Sequence, residues 1–384
     1  MRHPPEPRRI GLMLDLDWPY ERHLSVFAGT QRYAQEVGNW ECIVDETAPD
    51  SLRHSRGAYD GVIARATLEL AREAKRRRVP VVNTWFDSPA CELPCVSPDF
   101  PAVGAMAARH LLGLGLRRFV CIAVRGNQAG QAQLEAFREA ADAAGAEVSR
   151  LYAPRAYAGS STKRRKFHRA LAEPIAAWSP PLGVFVTIPD LTARHVAHEA
   201  SKRGLRIPQD ICIVAGLNEP MLCLHPAPAL TSVDVSYEEV GYRAAQLLDQ
   251  WMQGTRPPRL TTVPPRQVAA RQSTDFIAVE DPLVHAALDF LATHFHHGLS
   301  VGEVAEAVHT SRRTLERRFQ AVLGCSVGAE IRRLRMERAK RHLVAGELPV
   351  KSVARLSGFG SRQRMYEAFR AAKQAPPSRY RRST

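Results

Sequence analysis

The sequence predicts an α/β protein with an all-helical domain behind it, and three observations carry that prediction. Strand-like and helix-like patterns alternate over residues 9–275, β patterning stops at Pro282, and the last hundred residues hold a repeated, arginine-rich helical unit. A chain of 384 residues suits two or three domains at roughly 100–200 residues each. Hydrophobic residues at 45% and charged residues at 24% supply a core and exclude wholesale disorder. No run approaches the ~18–20 uninterrupted apolar residues of a membrane span. The apolar segment Ile10–Leu16 is broken by Asp15, is short for a signal segment, and lacks a small-residue cleavage site. A cytoplasmic protein without membrane contact is expected.

Apolar runs at Ile10–Leu14, Gly61–Ile63, Val79–Asn83, Phe119–Val124, Leu182–Thr187 and Ile211–Gly216 read as strands. Between and after them, helical spacing appears at Leu24–Val37, Leu68–Arg77, Ala102–Leu114, Gln131–Ala144, Leu191–Arg203 and Tyr237–Met252. Strands alternating with helices of this length imply parallel strands with right-handed crossovers, a doubly wound arrangement. Gly115 stands where a helix C-cap belongs, just before a new strand. One sheet built from all these strands would be unusually wide, so two smaller lobes are expected. Pro257, Pro258, Pro264 and Pro265 favour extended segments and turns, and Val268–Arg271 looks like a final strand. The boundary falls near 276–283, giving domains 1–275 and 284–384.

Seven cysteines are scattered along the chain. Cys42, Cys121 and Cys212 sit in apolar runs and read as small buried hydrophobes. Cys91 and Cys95 form the one close pair, with no second pair and no nearby histidine, so neither a metal nor another cofactor is expected.

Charge divides the chain unevenly. Residues 281–384 carry 19 lysines and arginines against 9 aspartates and glutamates, whereas the other 280 residues carry 34 against 30. A basic excess packed into one domain on a near-neutral body is the electrostatic footprint of nucleic-acid binding. The same segment repeats internally. Leu299–Val308 recurs as Leu348–Ser357, and Ser311, Leu315 and Phe319 recur as Ser361, Met365 and Phe369 after one extra turn residue. Each copy is a short helix, a tight turn and a second helix opened by serine, a favoured N-cap. Leu315, Phe319 and Val322, and then Met365, Phe369 and Ala372, make one buried stripe per copy. That leaves Arg312, Arg313, Glu316 and Arg317 outward in the first copy, and Arg362, Gln363, Arg364 and Tyr366 in the second. A helix-turn-helix presents such residues to the major groove, where Arg and Gln pair bidentately with guanine and adenine. The plainer alternative is a helical bundle with a basic solvated face.

The C-terminal hundred residues resemble the AraC/XylS family DNA-binding domain, two helix-turn-helix units joined by a long helix, here Val327–Val344. The resemblance rests on Ser300–Ala305, Ser311–Phe319 and Gly324, then on Val353-Ala354, Gly358-Phe359, Ser361, Phe369-Arg370, Pro377 and Tyr380-Arg381. Lys373-Gln374-Ala375 departs from the family pattern at a loop. The N-terminal part resembles the LacI/GalR-type periplasmic-binding-protein fold at Arg109–Val120, Leu205–Gly216, Leu230–Val233 and Glu239–Leu248. Together the resemblances imply two-lobed periplasmic-binding-protein-like doubly wound sheets followed by an all-helical double helix-turn-helix domain. The order, sensor first and reader last, resembles that of sugar-operon regulators of the xylose type. It implies an activator of carbohydrate catabolic genes, with a double-stranded DNA operator, a small-molecule effector, RNA polymerase and a second copy of the chain as partners.

In that fold the ligand binds at the C-terminal ends of the strands. Asp17, Trp18, Tyr20, Arg65, Trp85, Asp99, Arg125, Asp190 and Asn218 are the candidate lining residues by position. The resemblance places a sugar-binding arginine near Gln131 or Gln133 and a sugar-binding aspartate at Asn218, so the expected charged pair is missing. Trp18 and Trp85 suit stacking on a sugar face or core packing alike. Acidic and basic candidates balance, which favours a small neutral sugar. Two further readings stand beside this one. The lobes could be a ligand-independent dimerisation scaffold, or they could be an enzyme. The enzyme reading lacks any G-x-S-x-G, H-E-x-x-H or G-x-x-x-x-G-K-[ST] motif to support it.

Overall fold

The computed structural model describes residues 7–16, 21–55, 57–154, 161–187, 189–275, 281–295, 298–345, 348–372 and 376–380. The chain divides into two compact units, Met1–Ile277 and Ala278–Thr384.

The first unit begins with β1 (Arg8–Met13), α1 (Arg22–Val37), β2 (Trp40–Val44), α2 (Ala48–His54), β3 (Gly61–Ala64), α3 (Leu68–Arg77), β4 (Val81–Asn83) and β5 (Cys95–Pro98). It continues with α4 (Phe100–Gly113), β6 (Arg118–Val124), α5 (Gln128–Asp142), β7 (Glu147–Ala153), α6 (Ser161–Ile175), β8 (Leu182–Val186), α7 (Asp190–Lys202), β9 (Ile211–Ala215), α8 (Pro220–Leu224) and β10 (Thr231–Asp234). Helix α9 (Tyr237–Met252), β11 (Leu260–Val263) and β12 (Gln267–Ala269) complete it. Two six-stranded sheets result, ordered β11-β5-β4-β3-β1-β2 and β12-β10-β9-β8-β6-β7. Strand pairs are parallel except β10 with β12. The chain therefore passes between lobes three times, at β5–α4, at β10–α9 and at β11–β12.

The expected strands and helices are present with small shifts at their ends. Val79–Asn83 begins at Val81, because Pro80 has no N–H to give a ladder. Strands β2, β5, β7, β10 and β11 and helices α2, α6 and α8 escaped the sequence reading. Three of those strands are sheet edges that are short or mostly exposed, and β10 is Thr-Ser-Val-Asp, buried but lacking an apolar run. Cys121 and Cys212 are buried, whereas Cys42 on edge strand β2 is only partly so.

Two helix pairs fix the crossovers. Helix α9, arriving from the second lobe, packs on α1, and α4, arriving from the first, packs on α5. Both contacts need glycine. A Cβ on Gly29 would lie 1.8 Å from the Glu238 carbonyl oxygen, one on Gly241 2.0 Å from that of Val26, and one on Gly104 2.0 Å from that of Gln133. Backbones this close leave no room for a methyl group. Val26, Val240, Ala244 and Leu248 bind the α1–α9 pair to the first sheet, while Phe137 stacks on Phe185 beneath α5 at 5.0 Å.

The second unit has α10 (Pro282–His294), α11 (Val301–Ala307), α12 (Arg312–Leu323), α13 (Val327–Ala345), α14 (Val350–Leu356) and α15 (Arg362–Ala371). Serine caps open four of these helices. Ser300 forms a capping box with Glu303, Ser311 accepts from Thr314 N–H, Ser326 accepts from Ala329 N–H, and Ser361 accepts from Arg364 N–H. Leu315 and Phe319 join a core with Val304, Ile331 and Leu334, and Met365 and Phe369 join another with Val353, Met336 and Leu343. Helix α13 thus supplies one end to each core. The buried stripe is shorter than its periodicity suggests. Val322 is 42% exposed and Ala372 is exposed, since each falls at the end of its helix, beyond the partner that covers the first two positions.

Gly241→Ala should destabilise the first unit by about 1–3 kcal/mol in urea unfolding, the usual cost of overpacking. An unchanged midpoint would mean that the α1–α9 contact is looser than described.

Candidate functional site

The loops at the C-terminal ends of both sheets meet. Glu21, between β1 and α1, donates its N–H to Glu219 Oε2 across the lobes at 3.0 Å. Ala129, in the first turn of α5, donates its N–H to Asp87 Oδ1 at 3.2 Å. At the crossovers, Asp99 N–H donates to Val263 O at 2.8 Å and Arg266 N–H to Asp234 O at 2.9 Å. Ser236 holds the left-handed backbone, φ 55°, and donates its N–H to Asp234 Oδ1. A cleft with three connecting strands is the geometry of hinge closure on a small ligand.

On the first-lobe side, Arg65 follows β3 and stacks on Trp85, its guanidinium carbon 3.6 Å from the ring centroid. Burial lowers the Arg65 pKa. Trp85 is placed by buried Asn83, whose amide oxygen accepts from Trp85 N–H and Ala66 N–H. His23 Nδ1 lies 2.7 Å from the Asp15 carbonyl, so that nitrogen carries the proton. Burial also lowers the His23 pKa and keeps the ring neutral. Asp99 caps α4, accepting the Ala102 N–H at 2.9 Å. Asp17, Trp18 and Tyr20 lie outside the described residues.

On the second-lobe side, Asp190 is fully buried at the head of α7. It accepts from Leu217 N–H at 3.0 Å and Glu219 N–H at 2.8 Å, and from the Cys223 thiol at 3.3 Å. Burial pushes its pKa up against those three donors. Asn218 sits between the two bonded amides with φ 57°, and its Oδ1 accepts from Arg271 Nη2 at 2.6 Å. Asp190, from the head of α7, and Asn218, within the loop after β9, therefore spend their polar atoms on holding that loop. Arg125 is exposed, 5.7 Å from the Tyr152 ring centroid. Gln133 is buried, its amide donating to Gly216 O, and Gln131 pairs with Glu135.

Several residues here escaped the sequence reading: Glu219, Asp87, Arg271, Ser236 and Tyr237. Glu219 lies only three residues beyond the predicted strand at Ile211–Gly216, and that position was its available signal. Its carboxyl is pushed up to about 7, chiefly by burial and then by Asp190, with Arg22 opposing. Tyr237 is pushed up to about 12 by burial. The hydroxyls of Thr187, at the end of β8, and Ser236 are buried with no partner among the described residues. Hydroxyls of this kind can hydrogen-bond, and the stacked Arg–Trp pair can stack, on a small uncharged polar molecule.

In the second unit, α12 and α15 expose Arg312, Arg313 and Arg317, and Arg362, Gln363 and Arg364. Glu316 and Tyr366 depart from the outward reading, and they occupy equivalent positions in the two copies. Glu316 is partly buried and accepts the Val327 N–H at 3.2 Å, capping α13. Tyr366 packs against the second core, with Arg362 5.3 Å from its ring centroid. One turn further along the open faces lie Gln320, Glu367 and Arg370, all exposed, which i+4 and i+7 spacing from Arg313 and Gln363 would have shown. Two exposed cationic helices on serially linked helix-turn-helix cores suit contact with two grooves of one duplex. Among the described residues no helix is long and apolar enough to cross a membrane.

Residues 108–274 match the periplasmic binding protein-like domain family, and residues 304–383 match a helix-turn-helix domain family. The xylose operon regulatory protein of Escherichia coli K12 is 26% identical over 389 residues, taking in 97% of this chain and 96% of the relative. Its Haemophilus influenzae counterpart is 25% identical over 97% of this chain and 98% of its own length. Among solved structures, a xylose-binding transcription activator, xylR, covers 98% of both chains with a TM-score of 0.72 and 24% identity. A LacI family regulator from Enterococcus faecium with bound ribose covers 71% of this chain and all of its own, with a TM-score of 0.55 and 21% identity. The chain thus joins a periplasmic-binding-protein-like unit to an AraC-type helix-turn-helix unit, and it resembles the xylose operon regulators over nearly its whole length.

The Glu219 carboxyl gives a pH test. A raised folded-state pKa means that the folded protein binds the proton more tightly than the unfolded chain does. Wild type should therefore lose stability as pH rises from about 4.5 to about 7. Glu219→Gln should flatten that profile and melt higher than wild type at about pH 8. Parallel melting curves across this range would remove Glu219 from the account.

Proposed function

We propose that this chain is a ligand-responsive, sequence-specific transcription regulator. A small neutral sugar binds between the two lobes and alters how the helix-turn-helix unit engages DNA. The observation that carries the reading is the pair of cross-lobe hydrogen bonds, Glu21 to Glu219 and Ala129 to Asp87, which join the C-terminal ends of the two sheets. A ligand seated there touches both lobes and shifts their closure in proportion to its differential affinity. A neutral ligand suits the groups on hand. Arg271 is bonded to Asn218 and Asp190 is satisfied by the Leu217 and Glu219 amides, which leaves the Thr187 and Ser236 hydroxyls and the N–H groups of Arg65, which stacking on Trp85 does not occupy. The names of the similar regulators point to a pentose and to an activator of carbohydrate catabolic genes.

One chain carries two readers, so it covers two successive major-groove segments, centred roughly 10 bp apart. A homodimer then covers two such sites and meets RNA polymerase at the promoter. The scaffold reading, with lobes that bind nothing, draws on the internal satisfaction of Asp190 and Asn218.

Calorimetry of the full chain against neutral pentoses and hexoses should find one that binds. Arg65→Ala should weaken it about tenfold or more by removing the stacked guanidinium, and leave sugar-free DNA binding intact. Heat from phosphorylated or carboxylated metabolites alone would contradict neutrality, and no heat at all would favour the scaffold. On DNA, Arg313→Ala or Gln363→Ala should relax preference at one base position, at a cost of about 1–3 kcal/mol there. Equal weakening on every sequence would remove these residues from base reading.

A further inference from the structure

We propose that a cavity in the second unit, bordered by one flank of α15, seats a phosphodiester group of the bound DNA, a contact distinct from base reading. The cavity, of about 540 Å³, is bordered by Gly298 before α11, by α13, by the α14–α15 turn and by one flank of α15, so it lies between the two helix-turn-helix halves. Four arginines line it: Arg332 and Arg335 from α13, Arg355 from α14 and Arg364 from the first turn of α15. Arg335 is already committed, its guanidinium donating to the Phe295 and Leu299 carbonyls. Arg332, Arg355 and Arg364 are exposed and have no side-chain partner among the described residues. The one carboxylate on the rim, Glu367, accepts from Gln363 at 2.9 Å. Phe359 and Ala368 give the cavity an apolar side.

Converging guanidinium groups repel one another until an anion enters, and their planar forks match phosphate oxygens. The position of Arg364 selects the source of that phosphate. It lies at the N-terminal turn of α15, the end that the DNA-binding reading places against the groove. A duplex read by both helices carries its backbone past the space between them, where Arg332 and Arg355 stand. This inference rests on the DNA-binding reading.

The test compares full-length wild type with Arg332→Gln/Arg355→Gln on an operator duplex and a scrambled duplex across a salt series. Both positions are exposed, and an unchanged melting temperature checks the fold. The slope of log affinity against log salt should fall by about 0.9 per arginine removed, equally on both duplexes. Arg332→Lys/Arg355→Lys, which keeps the charge, should retain most of the slope. An unchanged slope overturns the proposal, as does a loss confined to the operator, which would make these residues base readers. If DNA binding is unaltered while inorganic pyrophosphate stabilises wild type and not the Gln variant, the cavity serves a free phosphorylated anion instead, and the DNA assignment fails. Wild type that shows no operator preference would refute the DNA-binding reading itself. Clear preference with an unchanged slope would refute this inference alone.

Discussion

Burying the Asp190 carboxylate would be costly in isolation. Two backbone amides and the Cys223 thiol offset that cost, and in doing so they fix the shape of the Leu217–Glu219 loop. Arg194, one turn further along the same helix, binds the Leu222, Cys223 and Pro228 carbonyls. Helix α7 therefore holds the whole connection from β9 to β10. That loop carries Asn218 in the left-handed region and delivers Glu219 to the first lobe. Remove the carboxylate, and two buried N–H groups are left without acceptors and the cross-lobe bond loses its anchor.

With the loop held from behind, motion is left to the lobes. Each of two crossovers ends in a helix gripped by its destination lobe through glycine-to-backbone contact, α9 by α1 and α4 by α5. Such contacts transmit a rigid-body rotation and do not absorb it. The strands between them, at Asp99, Ser236 and Pro264–Arg266, are short and tied to one another by backbone hydrogen bonds. A ligand that favours one lobe arrangement thus has discrete joints to act on. The second unit shows a related economy of parts, since α13 contributes Ile331 and Leu334 to one core and Met336 and Leu343 to the other.

Much of this was legible in the residues. The alternation of apolar runs and helical spacing announced parallel sheets, and the Ser311 and Ser361 repeat announced two helix-turn-helix copies with the caps now seen. Edge strands were not legible, because β7 shows solvent mostly charged and small side chains and carries no apolar run. The cleft was legible only in part. Arg65 and Trp85 stood at predicted strand ends, and they meet. Asp190 and Asn218 also stood at strand ends, but sequence position does not say whether a carboxylate faces a ligand or the amides of a neighbouring loop. Glu219 and Arg271 were missed because their roles arise from contacts between segments roughly 50 to 200 residues apart, which no local pattern encodes. Glu316 shows the same limit at short range, since helical spacing puts it outward while the Val327 amide draws it in.

The central claim is that the cleft and the DNA-reading unit are energetically linked, and linkage is reciprocal. The most direct measurement is therefore a closed cycle on the full-length protein: operator affinity with and without saturating sugar, and sugar affinity with and without saturating operator. The account predicts that the two ratios are equal and differ from one. A sugar that binds while operator affinity stays unchanged would contradict it.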